Sequence, residues 1–488
     1  MNTIQRIAKN TFFLLISNVI GFVLSFFFLM YSTRYLGSDR YGILSFAIAF
    51  ASITLFLADI GIASVIIRDV ARDKARTQKY LANSAFLKII LAVVTLVSTA
   101  VIGFALNYPS STMQVVLVIS LSLIIVSFSG IISSILQAYE VMEYLSLGSI
   151  IYNLAMLILA LLAIHSGMDV YGFSYVYLIS SIISLGYYVV VALRKIPLPK
   201  WEIDFALWKY IIKEAIPFGL SLVFVRIYYY IDTIMISLMV SNPNDAMGWY
   251  NAAYRMVLVL SFIPVTFLGS IYPVMSNYFV TSDKYLGFIF ERSFKYLMAI
   301  AIPIGVGTTI LGNQLILLIY GPDFVPSTIA LQILIWSEVL IFLNAVFGNL
   351  FNSINRQAIV AKQTILATVL NIILNLVLIP KYSYVGASAA TVATQLFAFL
   401  FLLYFASRAG YSFPGHMIIH LSKVLFACFI MVLFIKLFSG LPLLLLILIA
   451  AVVYLIIIII TGLADRIDIQ MARQLFGGIK AHGSRKET

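Results

Sequence analysis

Three basic side chains lie inside long apolar stretches of this chain: Lys88, Arg226 and Arg255. On insertion scales, a charge inside a membrane-spanning helix costs about 2.5–3.5 kcal/mol, so such residues normally face protein or a water-filled cavity. At about 1.5 Å of rise per residue, Arg226 falls near the midplane of the membrane and Arg255 only slightly further towards the outside. We therefore expect the two guanidinium groups to belong to a buried polar site.

The helical faces around the two arginines carry further polar groups. Residues three or four positions apart share one face of a helix. One face carries Arg226, Tyr230, Thr233 and Ser237, and another carries Asn251 and Arg255, with Tyr254 beside them. A guanidinium is planar, always charged and able to bind two oxygens at once, so a diphosphate is its natural partner. Two such helices facing one cavity would bind that group.

Carboxylates in the apolar stretches leave a structural alternative open. Arg255 could pair with Asp232, which falls at a similar depth on the preceding stretch. Asp59 and Lys88 also fall at similar depths, and a structural ion pair is the favoured interpretation there. Glu338 has no obvious cation nearby, so we expect it to be protonated or hydrogen-bonded to a backbone carbonyl, with a proton-coupling role as the alternative.

Two apolar stretches carry regular polar stripes. The first has Arg34 just past its outer end and a polar residue every seven positions, at Thr11, Asn18, Ser25 and Ser32. A later one has Thr364, Thr368, Asn371 and Asn375 on one face. Such stripes bond neighbouring helices or line a wet path. We expect the first to face a cavity and the second to pack. Prolines permit kinks that suit alternating access, and they occur at Pro264, Pro273 and Pro303.

The composition requires a membrane protein with many crossings. Hydrophobic residues make up 62% of the chain and charged residues 10%, with a mean hydropathy of +1.05. A bilayer core about 30 Å thick needs roughly 20 apolar residues per helix. The sequence predicts an all-α fold with about fourteen spans, near residues 11–33, 42–67, 82–106, 113–136, 145–164, 171–193, 214–240, 247–275, 293–312, 327–352, 359–380, 384–406, 421–438 and 441–463.

The distribution of basic residues predicts the orientation of these spans. Of the 31 Lys and Arg, 24 fall in one set of alternate gaps between spans. Because cationic loops are retained in the cytoplasm, both ends of the chain are predicted to lie there, in the cytoplasmic membrane. The same loops explain the net charge of +12 without nucleic-acid binding. The first apolar run is too long for a signal peptide and has no cleavage site, so we assign it to the first span.

The order of spans predicts two halves and an addition. Spans one to six form an N-terminal lobe (1–195), and spans seven to twelve a C-terminal lobe (214–408). Between them, residues 196–213 form an amphipathic cytoplasmic connector with Trp201, Phe205, Trp208 and Ile212 on one face. Spans thirteen and fourteen follow (409–463), then a cytoplasmic tail (464–488). The two successive six-span halves are predicted to form a repeat, and secondary transporters use such repeats to place a substrate site between halves.

The sequence shows no signature of an enzyme, cofactor or metal site. The single cysteine, Cys428, excludes an internal disulfide and a thiolate metal cluster. His416 and His420 have a spacing of four but lack a carboxylate or third ligand. Membrane glycosyltransferases and polymerases need a large polar loop or external carboxylates, and the predicted outer gaps are short. We therefore predict a non-enzymatic protein.

Several motifs together resemble those of polysaccharide flippases in the multidrug/oligosaccharidyl-lipid/polysaccharide exporter superfamily. The early motifs are Arg34-Tyr35-Leu36-Gly37, Tyr41-Gly42, Asp59-Ile60-Gly61-Ile62 and Arg68-Asp69-Val70-Ala71-Arg72. The later ones are Asp232-Thr233-Ile234-Met235, Gly248-Trp249-Tyr250-Asn251-Ala252-Ala253-Tyr254-Arg255, Tyr320-Gly321-Pro322-Asp323-Phe324 and Gly386-Ala387-Ser388-Ala389-Ala390. The resemblance covers nearly the whole chain.

This resemblance implies fourteen helices, with two six-helix lobes forming a V and two further C-terminal helices. In that family, spans one, two, seven and eight line a cationic central cavity. Carried onto this chain, this favours Arg34, Arg226 and Arg255 as lining residues. Span one has no cation at its middle, so the cavity is expected to be less positive than that of lipid II flippases. The full predicted substrate-binding set is Arg226, Arg255, Arg34, Asn251, Tyr230, Asn18 and Ser25.

The resulting prediction is a flippase that moves a polyprenyl-diphosphate-linked oligosaccharide to the outer leaflet by alternating access. Membrane lipids surround it, and a glycosyltransferase or polymerase is the expected kind of protein partner. The first alternative is a multidrug or cation antiporter of the same superfamily, which would use Asp232 and Glu338. The second is a non-transporting membrane scaffold. A scramblase-like lipid carrier is a function intermediate between these alternatives.

Overall fold

The computed structural model describes residues 3–197, 202–412 and 415–463, with backbone only for residues 3–8, 218 and 220–222. Within these ranges the protein is all-α, without strands. The helices are α1 Thr3–Thr54, α2 Ile62–Arg72, α3 Thr77–Ala105, α4 Ser110–Ala138, α5 Met142–His165, α6 Val170–Lys195, α7 Phe205–Met239, α8 Pro243–Leu258, α9 Phe262–Thr281, α10 Asp283–Ile319, α11 Ser327–Ser353, α12 Gln357–Arg408, α13 His416–Leu437 and α14 Leu443–Ile460.

These helices confirm the predicted multi-pass membrane fold. Eleven helical segments are long and apolar enough to cross a membrane. Two of them, α1 and α12, are 52 residues long, enough for two crossings each. They are divided at Gly37 (φ 70°, ψ 178°) and at Ser383 (φ 52°, ψ −137°). With α7, which contains predicted span seven, the described chain has the fourteen predicted crossings.

Two crossings are broken within the membrane segment. The second ends its first helix at Thr54 and resumes at Ile62, after a 3₁₀ turn at Leu55–Leu57. The eighth changes from α8 to α9 through a 3₁₀ turn at Val259–Ser261. Pro264 explains this second break, since its missing N–H cannot bond to the carbonyl four residues earlier.

The predicted connector differs from expectation in one respect. Its residues 205–213 form one continuous helix with span seven, because α7 begins at Phe205 and continues to Met239. The indole of Trp208 donates to Asn83 Oδ1 at 2.9 Å, which fixes this first part of α7 to α3. Trp201 and the predicted tail, 464–488, lie outside the described residues.

The chain divides into two compact units by internal contacts. Unit 1 contains residues 1–255, 316–330 and 364–390, and unit 2 contains residues 256–315, 331–363 and 391–488. In unit 1, α4 packs against α1 and α6, and α1 packs against α5. In unit 2, aromatic residues such as Phe290, Phe294 and Phe347 form a buried core. The two six-helix lobes are a different division of the chain and stay a prediction.

A close backbone approach joins α1 to α8 in unit 1. A Cβ added to Gly42 would lie 1.8 Å from the carbonyl oxygen of Asn244, and one added to Gly248 would lie 2.1 Å from that of Ser38. Around this contact, Asn244 Nδ2 donates to Asp39 Oδ1 at 3.0 Å. Both glycines belong to the motifs by which this chain resembles polysaccharide flippases, Tyr41-Gly42 and the run from Gly248 to Arg255.

We therefore expect Gly42→Ala and Gly248→Ala each to destabilise the protein by about 1–3 kcal/mol, because a methyl group would push two backbones apart. Thermal unfolding of the purified protein in detergent measures this effect. Gly186→Ala is the matched control, since its added Cβ meets nothing within 4 Å. An unfolding temperature of either variant equal to that of the control would contradict the close approach.

Candidate functional site

Arg255 lies among phenol side chains contributed by several helices of unit 1. It is on α8, and Tyr41 of α1, Tyr177 of α6, Tyr230 of α7 and Tyr320, directly after α10, lie within electrostatic range of it. Phenols are uncharged at neutral pH, so they do not neutralise the guanidinium. The charge of Arg255 thus remains available to an anion. We call these five residues the Arg255 pocket.

Tyr41 gives the Arg255 pocket an unused hydroxyl group. This side chain is 3% exposed, and its hydroxyl has no hydrogen-bond partner among the described residues. Its ring packs edge-on against Phe324 at 5.9 Å, which fixes its position. A buried hydroxyl without a partner costs free energy unless a ligand or water satisfies it. Tyr41 therefore offers a hydroxyl group that a ligand or a water could satisfy.

The second predicted arginine, Arg226, lies in a cluster of charged residues with Asp59 and Lys88. Arg226 NH2 lies 3.7 Å from Asp59 Oδ2, and its NH1 donates to the carbonyl of Ser52 at 3.3 Å. Lys88 Nζ lies 3.6 Å from the other oxygen of Asp59, so the predicted Asp59–Lys88 pair is present. The convergence of Arg226 and Arg255 on one cavity stays a prediction.

Asp232 accepts hydrogen bonds from uncharged side chains. The hydroxyl of Tyr250 donates to it at 2.5 Å, and the amide of Asn375 donates at 2.6 Å. Asn375 comes from the second polar stripe, so that stripe bonds neighbouring helices as expected. These hydrogen bonds give Asp232 partners other than Arg255, with which the sequence allowed it to pair.

Other predicted substrate-binding residues take part in contacts between helices. Asn251 is 7% exposed, and its amide donates to Thr233 Oγ1 at 3.1 Å. Ser25 donates to Asn153 Oδ1 at 2.8 Å, whereas Asn18 is exposed.

Arg34 donates to the carbonyl of Ile319 at 2.9 Å, with Leu318 and Leu317 as further acceptors. A cation at a helix C-terminus is favoured by the helix dipole, which gives Arg34 a structural role.

Glu338 of unit 2 has a hydroxyl partner that the sequence did not reveal. This residue is 2% exposed, and Ser261 donates to its Oε1 at 2.6 Å. Ser261 lies in the 3₁₀ turn that interrupts the eighth crossing. The break thus presents a donor to a buried carboxyl group. Lys295 is a buried residue that the sequence analysis missed, and it donates to the carbonyl of Leu463 at 3.2 Å.

A charged cluster fixes α2 to α7 outside the apolar crossings. Arg68 donates to Asp69 and to Glu214, each at 2.8 Å, and the hydroxyl of Tyr80 donates to Asp69 at 2.7 Å. Burial alone would raise the pKa of Asp69, but the hydrogen bonds from Arg68 and Tyr80 outweigh it and hold this pKa below its ordinary value. The charged form of Asp69 is therefore stabilised by folding.

Comparison with known proteins identifies relatives along most of the chain. A family model described as polysaccharide biosynthesis protein matches residues 7–279, and a model described as MatE matches residues 217–377. The chain is 22% identical over 388 residues to the probable low-salt glycan biosynthesis flippase Agl15 of Haloferax volcanii. That match covers 79% of this chain and 80% of the relative.

Two solved structures share the fold. The lipid II flippase MurJ, in an inward closed conformation, matches with a TM-score of 0.75 and 18% identity, over 93% of this chain and 99% of that one. A multidrug resistance MATE family transporter of the MOP superfamily, in an inward-facing conformation, matches with a TM-score of 0.64 and 14% identity. This second match covers 80% of this chain and 96% of that one.

The Asp69 cluster predicts a pH-dependent contribution to stability. A carboxyl group with a lowered pKa stabilises the folded state above its unfolded pKa, and this contribution is lost as the pH falls through the folded pKa. We expect Asp69→Asn to destabilise the protein by about 1–3 kcal/mol at neutral pH. The difference from wild type should shrink as the pH falls below the ordinary value of 3.8.

Unfolding temperatures of both proteins in lipid nanodiscs between pH 3 and 7 measure this contribution. Asp73→Asn is the control, because Asp73 pairs with Arg76 on the surface at 3.1 Å and exposed pairs contribute little. A difference between Asp69→Asn and wild type that stays constant over this range would show that the carboxylate charge is not responsible.

Proposed function

Because this chain belongs to the polysaccharide biosynthesis protein family of the multidrug/oligosaccharidyl-lipid/polysaccharide exporter superfamily, as its motifs predicted, we propose that it is a flippase for a lipid-linked glycan. It moves a polyprenyl-diphosphate-linked oligosaccharide from the cytoplasmic to the outer leaflet of the cytoplasmic membrane. It acts as a carrier and not as an enzyme, by alternating access. Both ends of the chain lie in the cytoplasm.

The Arg255 pocket carries this proposal. A lipid-linked sugar joins an anionic phosphate to rings that have C–H groups on their faces and hydroxyls at their edges. Arg255 offers a charge to the phosphate, while the tyrosines offer apolar ring faces together with hydroxyl groups. The unpartnered hydroxyl of Tyr41 suits a sugar or phosphate oxygen. An apolar drug or a cation would leave these groups unsatisfied.

The charges of unit 1 also favour an anionic cargo. Lys88, Arg226 and Arg255 outnumber Asp59 and Asp232 among the membrane-embedded charges discussed above. The head group enters from the cytoplasmic side while its prenyl tail stays in lipid. An inside-negative membrane potential assists the outward movement of an anion by about 2.3 kcal/mol per charge per 100 mV. Transport therefore needs no coupling ion. A glycosyltransferase or polymerase supplies or consumes the glycan.

A cation antiporter is the second candidate function. It is favoured by the MatE match over residues 217–377 and by two buried carboxyl groups, Asp232 and Glu338. Both accept hydrogen bonds from neutral side chains, so either could exchange a proton for a cation. The uncompensated charge of Arg255 opposes a cationic cargo in unit 1. Transport of a cation against a proton gradient would favour this candidate.

Flipping of a fluorescent polyprenyl-diphosphate oligosaccharide in proteoliposomes tests the proposal. We expect transport by the wild type, a loss of at least tenfold in Arg255→Ala, where the phosphate loses its charged partner, and a smaller loss in Tyr41→Phe. Arg194→Ala is the matched control, because Arg194 is an exposed arginine in the last turn of α6. It should transport like the wild type at equal incorporation.

Full transport by Arg255→Ala would show that the Arg255 pocket does not bind the substrate. Absence of transport by folded wild-type protein, with several glycans and an imposed potential, would favour the antiporter or a non-transporting scaffold.

A further inference from the structure

Asp59 lies in the break of the second membrane crossing, where the backbone changes direction. The break extends from the 3₁₀ turn at Leu55–Leu57 to Gly61, whose φ of 93° suits a residue without a Cβ. The helix α7 packs tightly here, since a Cβ on Gly219 would lie 2.5 Å from the carbonyl oxygen of Ile60. Asp59 is therefore placed at the joint between a broken helix and α7, which carries Arg226.

The two cations beside Asp59 are held very differently. The side chain of Lys88 is 2% exposed, and its Nζ donates to the carbonyl of Ser127 at 2.6 Å. The side chain of Arg226 is 27% exposed, and its hydrogen bond to Ser52 is long, at 3.3 Å. Lys88 is thus fixed in place, whereas part of the Arg226 side chain remains accessible.

Asp59 pairs with both cations beyond ordinary hydrogen-bond distance. Its carboxylate oxygens lie 3.6 Å from Lys88 Nζ and 3.7 Å from Arg226 NH2, whereas a charge-assisted hydrogen bond is about 2.7–2.9 Å long. One carboxylate is therefore shared loosely between two positive charges. The surplus charge is one, and it can be taken up by a single additional anion.

We propose that Asp59 is a competing anion that the substrate displaces from Arg226, and that it thereby sets how tightly the head group is held. This inference rests on the proposed function. As one phosphate group of the lipid-linked glycan binds Arg226, Asp59 remains with Lys88, so that both cations keep an anionic partner. When the phosphate leaves, Asp59 pairs with Arg226 again. Asp59 is a positioning residue that acts through Arg226.

The exchange has a physical reason. Removing one partner of a pair in a medium of low dielectric leaves an uncompensated charge, at a high cost. If Arg226 had no partner of its own, release of the phosphate would leave its charge bare, and the site would retain the substrate. Binding that is equally strong before and after the transport step does not accelerate that step. A competing carboxylate lowers the affinity and makes release easier.

Asp59→Asn should therefore have opposite effects on affinity and on flipping rate, which a general loss of folding would not produce. We expect the affinity for a prenyl diphosphate to rise about tenfold, within the range of measured coupling between sites, while the flipping rate falls. Asp59→Glu keeps the charge and should restore both values towards those of the wild type. Geranylgeraniol, which lacks the phosphate, should bind the wild type and Asp59→Asn equally.

Titration calorimetry with geranylgeranyl diphosphate on full-length protein in nanodiscs measures the affinity, beside flipping in proteoliposomes. Asp73→Asn, in the exposed pair with Arg76, is the control and should change neither value. A double-mutant cycle adds Arg226→Gln, which should abolish the gain caused by Asp59→Asn. If Asp59→Asn does not fold, the double variant Asp59→Asn/Lys88→Met, which removes both opposite charges, is compared with the wild type in its place.

The outcomes separate this inference from the proposed function. Wild-type protein that neither binds nor flips the diphosphate lipid would refute the proposed function. Wild-type transport together with unchanged or weaker binding by Asp59→Asn, or by its Lys88→Met combination, would overturn the role of Asp59 alone. Tighter binding that persists in the presence of Arg226→Gln would also overturn it, because the gain would then not pass through Arg226.

Discussion

A charge inside a bilayer has no water to solvate it, and this constraint determines where the polar groups of this protein lie. Asp59 is shared by Lys88 and Arg226, while Asp232 and Glu338 accept hydrogen bonds from hydroxyl or amide groups. Burial of an ion is tolerable only where partners replace its hydration. The helices must therefore meet at the places where these partners converge, so the charged residues and the fold constrain each other.

The interruptions of the helices are the places where this constraint is met. A regular helix satisfies its own backbone and leaves only side chains for contacts, whereas a break also offers backbone groups. Asp59 occupies one break, and Ser261 of the other donates to Glu338. The glycines at Gly42 and Gly248 allow α1 and α8 to approach until their backbones touch. Small residues at helix contacts permit such packing in membranes.

The apolar spacing and the basic loops were sufficient to predict the multi-pass fold, because membrane thickness fixes the length of each crossing. The pair of Asp59 with Lys88 was also predictable, since both fall at similar depths on successive spans. The tyrosines around Arg255 were not predictable as a group. Tyr41, Tyr177 and Tyr320 are far apart in sequence and carry no charge, and 29 tyrosines occur in the chain. Only packing of the helices shows which of them converge.

The two arginines of unit 1 illustrate how surroundings give one residue type different properties. Arg226 has a carboxylate beside it, so an incoming anion must compete for it and can be released. Arg255 has phenols in its surroundings, which do not cancel its charge, and no ion pair joins it to a carboxylate among the described residues. Under the proposed function, a head group that leaves Arg226 loses its place to Asp59, whereas one that reaches Arg255 gains a full charge.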